Sequence, residues 1–150
     1  MLCHLSYVGG ALSDSICYKL SARSMATIDK VLENARRRLK RVTPQEAAAE
    51  HARGALVIDT RTSEQRASAG DIPGALVIDR TVFEWRLDPT SPSRILEAND
   101  HNVRVIVICA DGYSSSLAAA SLQDLGLVNA TDVIGGFAAW KAAGLPIKKA

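Results

Sequence analysis

The sequence lacks a long apolar run, a strong net charge and a paired set of cysteines. No run approaches the ~20 apolar residues that a membrane-spanning helix needs, so a membrane span is not expected. Eighteen basic and 16 acidic residues leave a formal charge of +2, too little to point to nucleic acid. The one basic cluster, Arg36, Arg37, Arg38, Lys40 and Arg41, falls on a helical pattern and reads as a solvated face. Cys3, Cys17 and Cys109 are odd in number and share no C-x-x-C spacing. That speaks against a disulfide framework or a zinc site and favours reduced thiols in the cytoplasm. Histidine is also scarce: His4, His51 and His101 stand in no pattern that would make one of them the base for a cysteine nucleophile.

What remains is a chain of 150 residues, 47% of them hydrophobic, which suits one domain with one core. Residues 1–24 lack the positive start and apolar run of a signal peptide, with Gly9, Gly10 and Asp14 interrupting them. They read as a leader or disordered extension. Residues 25–41 read as an N-terminal amphipathic helix, because Ile28, Val31, Leu32, Ala35 and Leu39 recur at three- and four-residue spacing. Residues 42–150 form the main domain. It opens on Thr43-Pro44-Gln45-Glu46, a capping box with proline in the first turn.

The hexapeptide GALVID occurs twice, at Gly54–Asp59 and at Gly74–Asp79. Both copies predict short strands buried on two faces. Val103–Ile108 and Asp132–Ile134 predict two more. Helical stretches fall at about 63–69, 114–125 and 137–143, and a short helix is expected near 93–98 after Pro89 and Pro92. Alternating strands and helices predict an open parallel α/β sheet, whose functional crevice lies at the carboxyl ends of its strands. Asp59 and Cys109 occupy such ends.

Cys109 carries the chemistry. The run V-I-V-I ends in Cys109-Ala110-Asp111-Gly112-Tyr113-Ser114-Ser115-Ser116, and a helical pattern follows. A lone cysteine at a strand end often belongs to the core. Here Gly112 permits unusual backbone angles, and Ala110, Ser114 and Ser115 are small enough for the loop to curl with its amides inward. Such a nest and a helix N-terminus favour the thiolate, which is the nucleophile. No arginine ends the loop to hold a phosphate, and no second cysteine sits in it to make a redox pair. A single thiolate among amides suits a sulfur carrier, which takes a sulfane sulfur as a persulfide and yields it to a second nucleophile.

With these pieces the chain resembles the single-domain rhodanese-like sulfurtransferases from about Val42 to Ile147. Leu56-Val57-Ile58-Asp59-Thr60-Arg61 is similar to the family's first strand-end motif. Gly70-Asp71-Ile72-Pro73-Gly74-Ala75 is similar to its Gly-His-Ile-Pro-Gly-Ala turn. Cys109–Ser114 has the six-residue loop length of the sulfurtransferases. Gly135-Gly136-Phe137-Ala138-Ala139-Trp140 and Gly144-Leu145-Pro146 are similar to the carboxyl-terminal signature. The resemblance implies an open five-stranded parallel sheet flanked by helices on both faces, with Cys109 as persulfide carrier. The amides of Ala110, Asp111, Gly112, Tyr113, Ser114 and Ser115 would support the persulfide, with no metal and no organic cofactor. It implies a small sulfur donor such as thiosulfate or a persulfide, a thiol or cyanide as acceptor, and room for a protein partner in sulfur relay. Asp59 and Arg61 are expected beside the loop as support. Arg86 is a candidate to bring a positive charge to it. Two departures bear on the donor. Ser114 stands where the family often has arginine, and Asp111 adds a negative charge, so an anionic donor is expected to bind weakly. The alternative is a binding or sensing module on the same fold, with weak catalysis.

Overall fold

The computed structural model describes residues 26–149. Cys3, Cys17, His4 and the expected 1–24 leader lie outside the described residues. Helix α1 (Ile28–Arg38) starts on Thr27, whose side chain accepts the Lys30 N–H. Helix α2 (Pro44–Ala52) starts on the Thr43–Glu46 capping box with Pro44 in its first turn, as the sequence predicts. Strand β1 (Leu56–Asp59) leads to α3 (Ser63–Ala69), β2 (Leu76–Val77) and α4 (Phe83–Leu87). After a long connection come β3 (Val105–Ile108), α5 (Ser114–Asp124), β4 (Thr131–Asp132) and α6 (Gly136–Ala142).

The strands form one parallel sheet in the order β2-β1-β3-β4. Side-chain alternation along the central strands feeds two cores. Ile58, Val105 and Val107 face Leu39, Phe83, Leu87, Ala118 and Leu122, the layer of α1, α4 and α5. Val57, Ile106 and Ile108 face Ala47, Phe137 and Trp140, the layer of α2 and α6. Helices therefore cover both faces, and Asp59 pairs with Ile108 where β1 and β3 end together.

Three expectations need correction. The sheet has four strands among the described residues, and the place of a fifth is held by Val42 alone, which bridges Val133 in parallel. The chain has no room for more there, because Thr43 already caps α2. The second GALVID is not buried on both faces. It supplies only the edge pair Leu76–Val77, and Val77 is 48% exposed. Finally, 93–98 forms turns, whereas Phe83–Leu87 is helical. A five-residue helix is too short to show periodicity. Between the two, the Asp88 carboxylate accepts both the N–H and the hydroxyl of Thr90, a local bond that favours a turn.

Candidate functional site

Cys109 follows the last residue of β3, and α5 begins five residues later. The loop between them closes on the sulfur. The N–H groups of Gly112 and Ser115 donate to Cys109 Sγ at 3.2 and 3.4 Å. Gly112 makes this possible with φ +82°, a conformation that side chains resist. Tyr113 opens α5 without a side-chain cap. The helix's first N–H groups are thus left without a capping acceptor, and that of Ser115 goes to the sulfur.

Two effects compete for the Cys109 proton. Burial, at 6% exposure, pushes the thiol up. The Ser115 and Ser114 hydroxyls and the N–H groups of Ser115 and Gly112 pull it down, and the net direction is down. The Ser115 hydroxyl has one proton, and its 2.8 Å bond goes to Asp132 Oδ2. That bond occupies the proton, and no hydrogen bond from the Ser115 hydroxyl to the sulfur is formed. The hydrogen bonds that reach the sulfur are therefore those of the two backbone N–H groups.

The sulfur forms part of a cavity of about 200 Å³ lined by Thr60, Arg61, Gln65, Asp111, Tyr113 and Ser114 as well as the loop's Ala110. Thr60 reaches it because its N–H and hydroxyl both donate to Ile108 O, at 3.0 and 3.1 Å. Gln65 reaches it from α3, where its side chain also completes the capping box with Thr62. Asp111 is exposed. A second cleft, of about 290 Å³, shares Arg61, Gln65 and Ala110 and runs past Phe137 to Lys141.

Asp59 and Arg61 meet beside the loop. Arg61 donates to both oxygens of Asp59, with the shortest contact 2.6 Å, and to Gly70 O at 2.9 Å. Both side chains are 1% exposed. The guanidinium stacks on the Phe137 ring, 3.6 Å from its centroid, and its Nη1 has no hydrogen-bond partner. Arg61 lines the cavity, and Asp59 anchors it from behind. Arg86 is not brought to the site. Its guanidinium donates to Ser93 O at 2.8 Å, because α4 turns it toward the connection that follows. The histidines also stay away from the sulfur. His51 bonds the carbonyls of Ala55 and Pro73, and His101 lies against Gly126 at the other end of β3.

Four further residues, none of them in the motifs that mark the site in the sequence, shape the loop. Asp132, fully buried in β4, accepts the hydroxyls of Ser115 and Ser116, each at 2.8 Å, and a two-point contact from Arg41 at 2.8 and 3.1 Å. Arg36 and Arg41 both donate to Gly112 O, at 2.8 and 3.1 Å. The basic cluster is thus not simply a solvated face. Two of its arginines turn inward, and Arg38 pairs with Asp124 of α5. Gly136 lets the start of α6 lie on the loop, where Phe137 N–H donates to Cys109 O at 2.8 Å and Ala138 N–H to Ala110 O at 3.0 Å. Only Gly136 had a local signal, the Gly-Gly pair. The others depend on tertiary contacts that no short motif records.

A strand-end thiol in a nest of amides, on a parallel sheet covered by helices on both faces, is the arrangement of the sulfurtransferase domains that the sequence resembles. Residues 43–143 match the rhodanese-like domain family, and the chain belongs to it. Two thiosulfate sulfurtransferases named GlpE are among its relatives. That of Pseudomonas entomophila is 35% identical over 103 residues, 69% of this chain and 85% of that protein. That of Haemophilus influenzae strain PittEE is 32% identical over 111 residues, 74% and 96% respectively. Among solved structures, a Rhodopseudomonas palustris protein of unknown function, described as a possible tyrosine phosphatase, superposes with a TM-score of 0.75. It is 31% identical over 83% of this chain and 96% of that one. A rhodanese-like domain protein from Staphylococcus aureus superposes with a TM-score of 0.54 at 26% identity, over 73% and 99%. The chain is a rhodanese-like sulfurtransferase, and among the described residues no helix is long and apolar enough to cross a membrane.

Proposed function

We propose that Cys109 carries a sulfane sulfur as a persulfide and passes it to a thiophilic acceptor. The observation that carries this reading is the pair of backbone N–H groups, from Gly112 and Ser115, converging on a buried sulfur that is open to a small cavity. They favour the thiolate before reaction and can hold the outer sulfur's negative charge after it. With thiosulfate, the Cys109 thiolate attacks the sulfane sulfur. An S–S bond forms to Cys109, the S–S bond of thiosulfate breaks, and sulfite leaves with the electron pair. With cyanide, carbon attacks the outer sulfur, thiocyanate departs and the thiolate returns. A thiol acceptor would proceed in the same way, entering through the cavity that Cys109 lines. Ala110, Asp111, Tyr113 and Ser114 line the donor's cavity, and Asp59 with Arg61 keeps its wall in place.

A phosphatase reading, suggested by the description of the Rhodopseudomonas palustris protein, lacks its cation. The loop supplies no arginine, the charge of the cavity-lining Arg61 is already paired with Asp59, and Arg36 and Arg41 bond a carbonyl of the loop rather than lining the cavity. The two readings separate in one assay. The purified full chain with thiosulfate and cyanide should release thiocyanate, and Cys109→Ala should release none. Hydrolysis of an aryl phosphate without thiocyanate formation would overturn the proposal. The physiological setting we infer is the cytoplasm, where the thiol stays reduced and a protein partner in sulfur relay could deliver the donor sulfur.

A further inference from the structure

The Cys109 loop is held from outside the matched domain. Arg36 lies on α1 and Arg41 just before Val42, whereas the match to the family begins at residue 43. Their guanidinium groups converge on one atom, the Gly112 carbonyl oxygen, at 2.8 and 3.1 Å. Arg36 also donates through Nε to Ser116 Oγ at 3.2 Å and lies over the Tyr113 ring, 5.4 Å from its centroid. Arg41 is tied to Asp132. Arg36 forms no ion pair among the described residues. Its donors go to the loop and to the helix that the loop opens.

A peptide unit is planar and trans, so its C=O and N–H point in opposite directions. Fixing the Gly112 oxygen outward against two cations fixes the Tyr113 N–H the other way. It also bars a flip that would turn the Gly112 oxygen toward a negative sulfur. Such a flip turns ψ of Gly112 and φ of Tyr113, and Gly112 resists it little because, without a Cβ, few of its φ/ψ combinations are barred. The two arginines on its carbonyl restrain this glycine hinge from outside the loop.

We propose that Arg36, seconded by Arg41, is a positioning residue that holds the Gly112 carbonyl and so fixes the loop whose Gly112 and Ser115 N–H groups reach the sulfur, so that α1 is a working part of the site. The proposal rests on the sulfur-carrier reading of Cys109. It assigns a task to a segment that precedes the sulfurtransferase domain. The charged groups around the loop are Arg36 of α1, Arg41 and Asp132 behind it, Asp111 within it, Asp59 and Arg61 at the end of β1 and Lys141 of α6.

The test uses the full chain with Arg36→Met, Arg36→Lys and, as a control on the same helix, Arg37→Met. Methionine keeps an aliphatic stem, which protects packing, and melting temperature checks the fold. Two readouts follow: the pH midpoint for alkylation of Cys109, read on its own peptide by mass spectrometry, and kcat and KM with thiosulfate. Arg36→Met should move the midpoint up and lower kcat/KM about tenfold or more, as a misplaced catalytic loop does. Arg36→Lys can still donate to Gly112 O and should recover most of both. Arg37→Met should change neither. An unchanged midpoint in Arg36→Met, an equal shift in Arg37→Met, or no recovery in Arg36→Lys would each overturn the clamp. These results separate from the parent reading. A wild type that takes up no sulfur sinks the carrier role, whereas a sulfur-loaded wild type beside an unshifted Arg36→Met sinks the clamp alone.

Discussion

Gly136 lies against the backbone of Cys109. A Cβ at Gly136 would stand 2.6 Å from Cys109 O and 2.6 Å from Gly112 N, and Gly136 has φ +59°. The start of α6 can therefore touch the sulfur loop only because this residue has no side chain. Gly136→Ala should combine left-handed strain with a backbone clash and cost roughly 1–3 kcal/mol. Urea unfolding would measure it. Sulfur transfer should fall further than the unfolded fraction explains, because the clash lands on the loop itself.

The Asp59–Arg61 pair should matter more to folding than to turnover. Both side chains are buried, and removing one leaves the other charged without a partner. Asp59→Ala should destabilise the chain by roughly 3–5 kcal/mol, read as a drop in the urea midpoint. A loss below 1 kcal/mol, on the same scale, would mean that water or another group takes over the orphaned guanidinium.

Cys109 should link stability to pH with a definite sign. Its pKa is held below the ordinary thiol value in the folded chain. The stabilisation is fully present above the pKa of an unfolded cysteine, ~8.5, and is lost as pH falls through the folded value. The stability advantage of wild type over Cys109→Ser should therefore grow as pH rises from neutral toward that of the free thiol. An advantage that shrinks over that range would contradict the direction.

Asp111 should tune the choice of donor. It lines the cavity and is exposed, so its charge faces an approaching anion through water. Asp111→Asn should lower KM for thiosulfate about two- to fivefold at low salt, with the gain fading as salt screens the repulsion. Steady-state kinetics at two ionic strengths would show it. An unchanged KM at low salt would mean that the carboxylate points away from the donor.

The legible parts of the fold were those with local signals. The capping box at Thr43, the buried run before Asp59 and the small-residue loop after Cys109 each state their structure within a few residues. The illegible parts were decided by partners far away in the chain. Val77 carries the same hexapeptide as β1 but lies at a sheet edge, and no local pattern distinguishes an edge from a centre. The sequence offers Arg86 as a candidate cation for the site, and one short helix aims it at Ser93 instead. Arg36 reads in the sequence as part of a solvated face. Its contact with Gly112 spans 76 positions and exists only because α1 packs on α5.

The sulfur-carrying role of Cys109 is tested most directly by intact-protein mass spectrometry of the full chain after incubation with thiosulfate and removal of excess donor. The chain should gain the mass of one sulfur atom. Peptide mapping should place it on Cys109, and cyanide should remove it. Cys109→Ala should gain nothing, and Cys3→Ala and Cys17→Ala should load as wild type does. An adduct that persists in Cys109→Ala, or a wild type that gains no mass from thiosulfate or from a persulfide donor, would contradict the account.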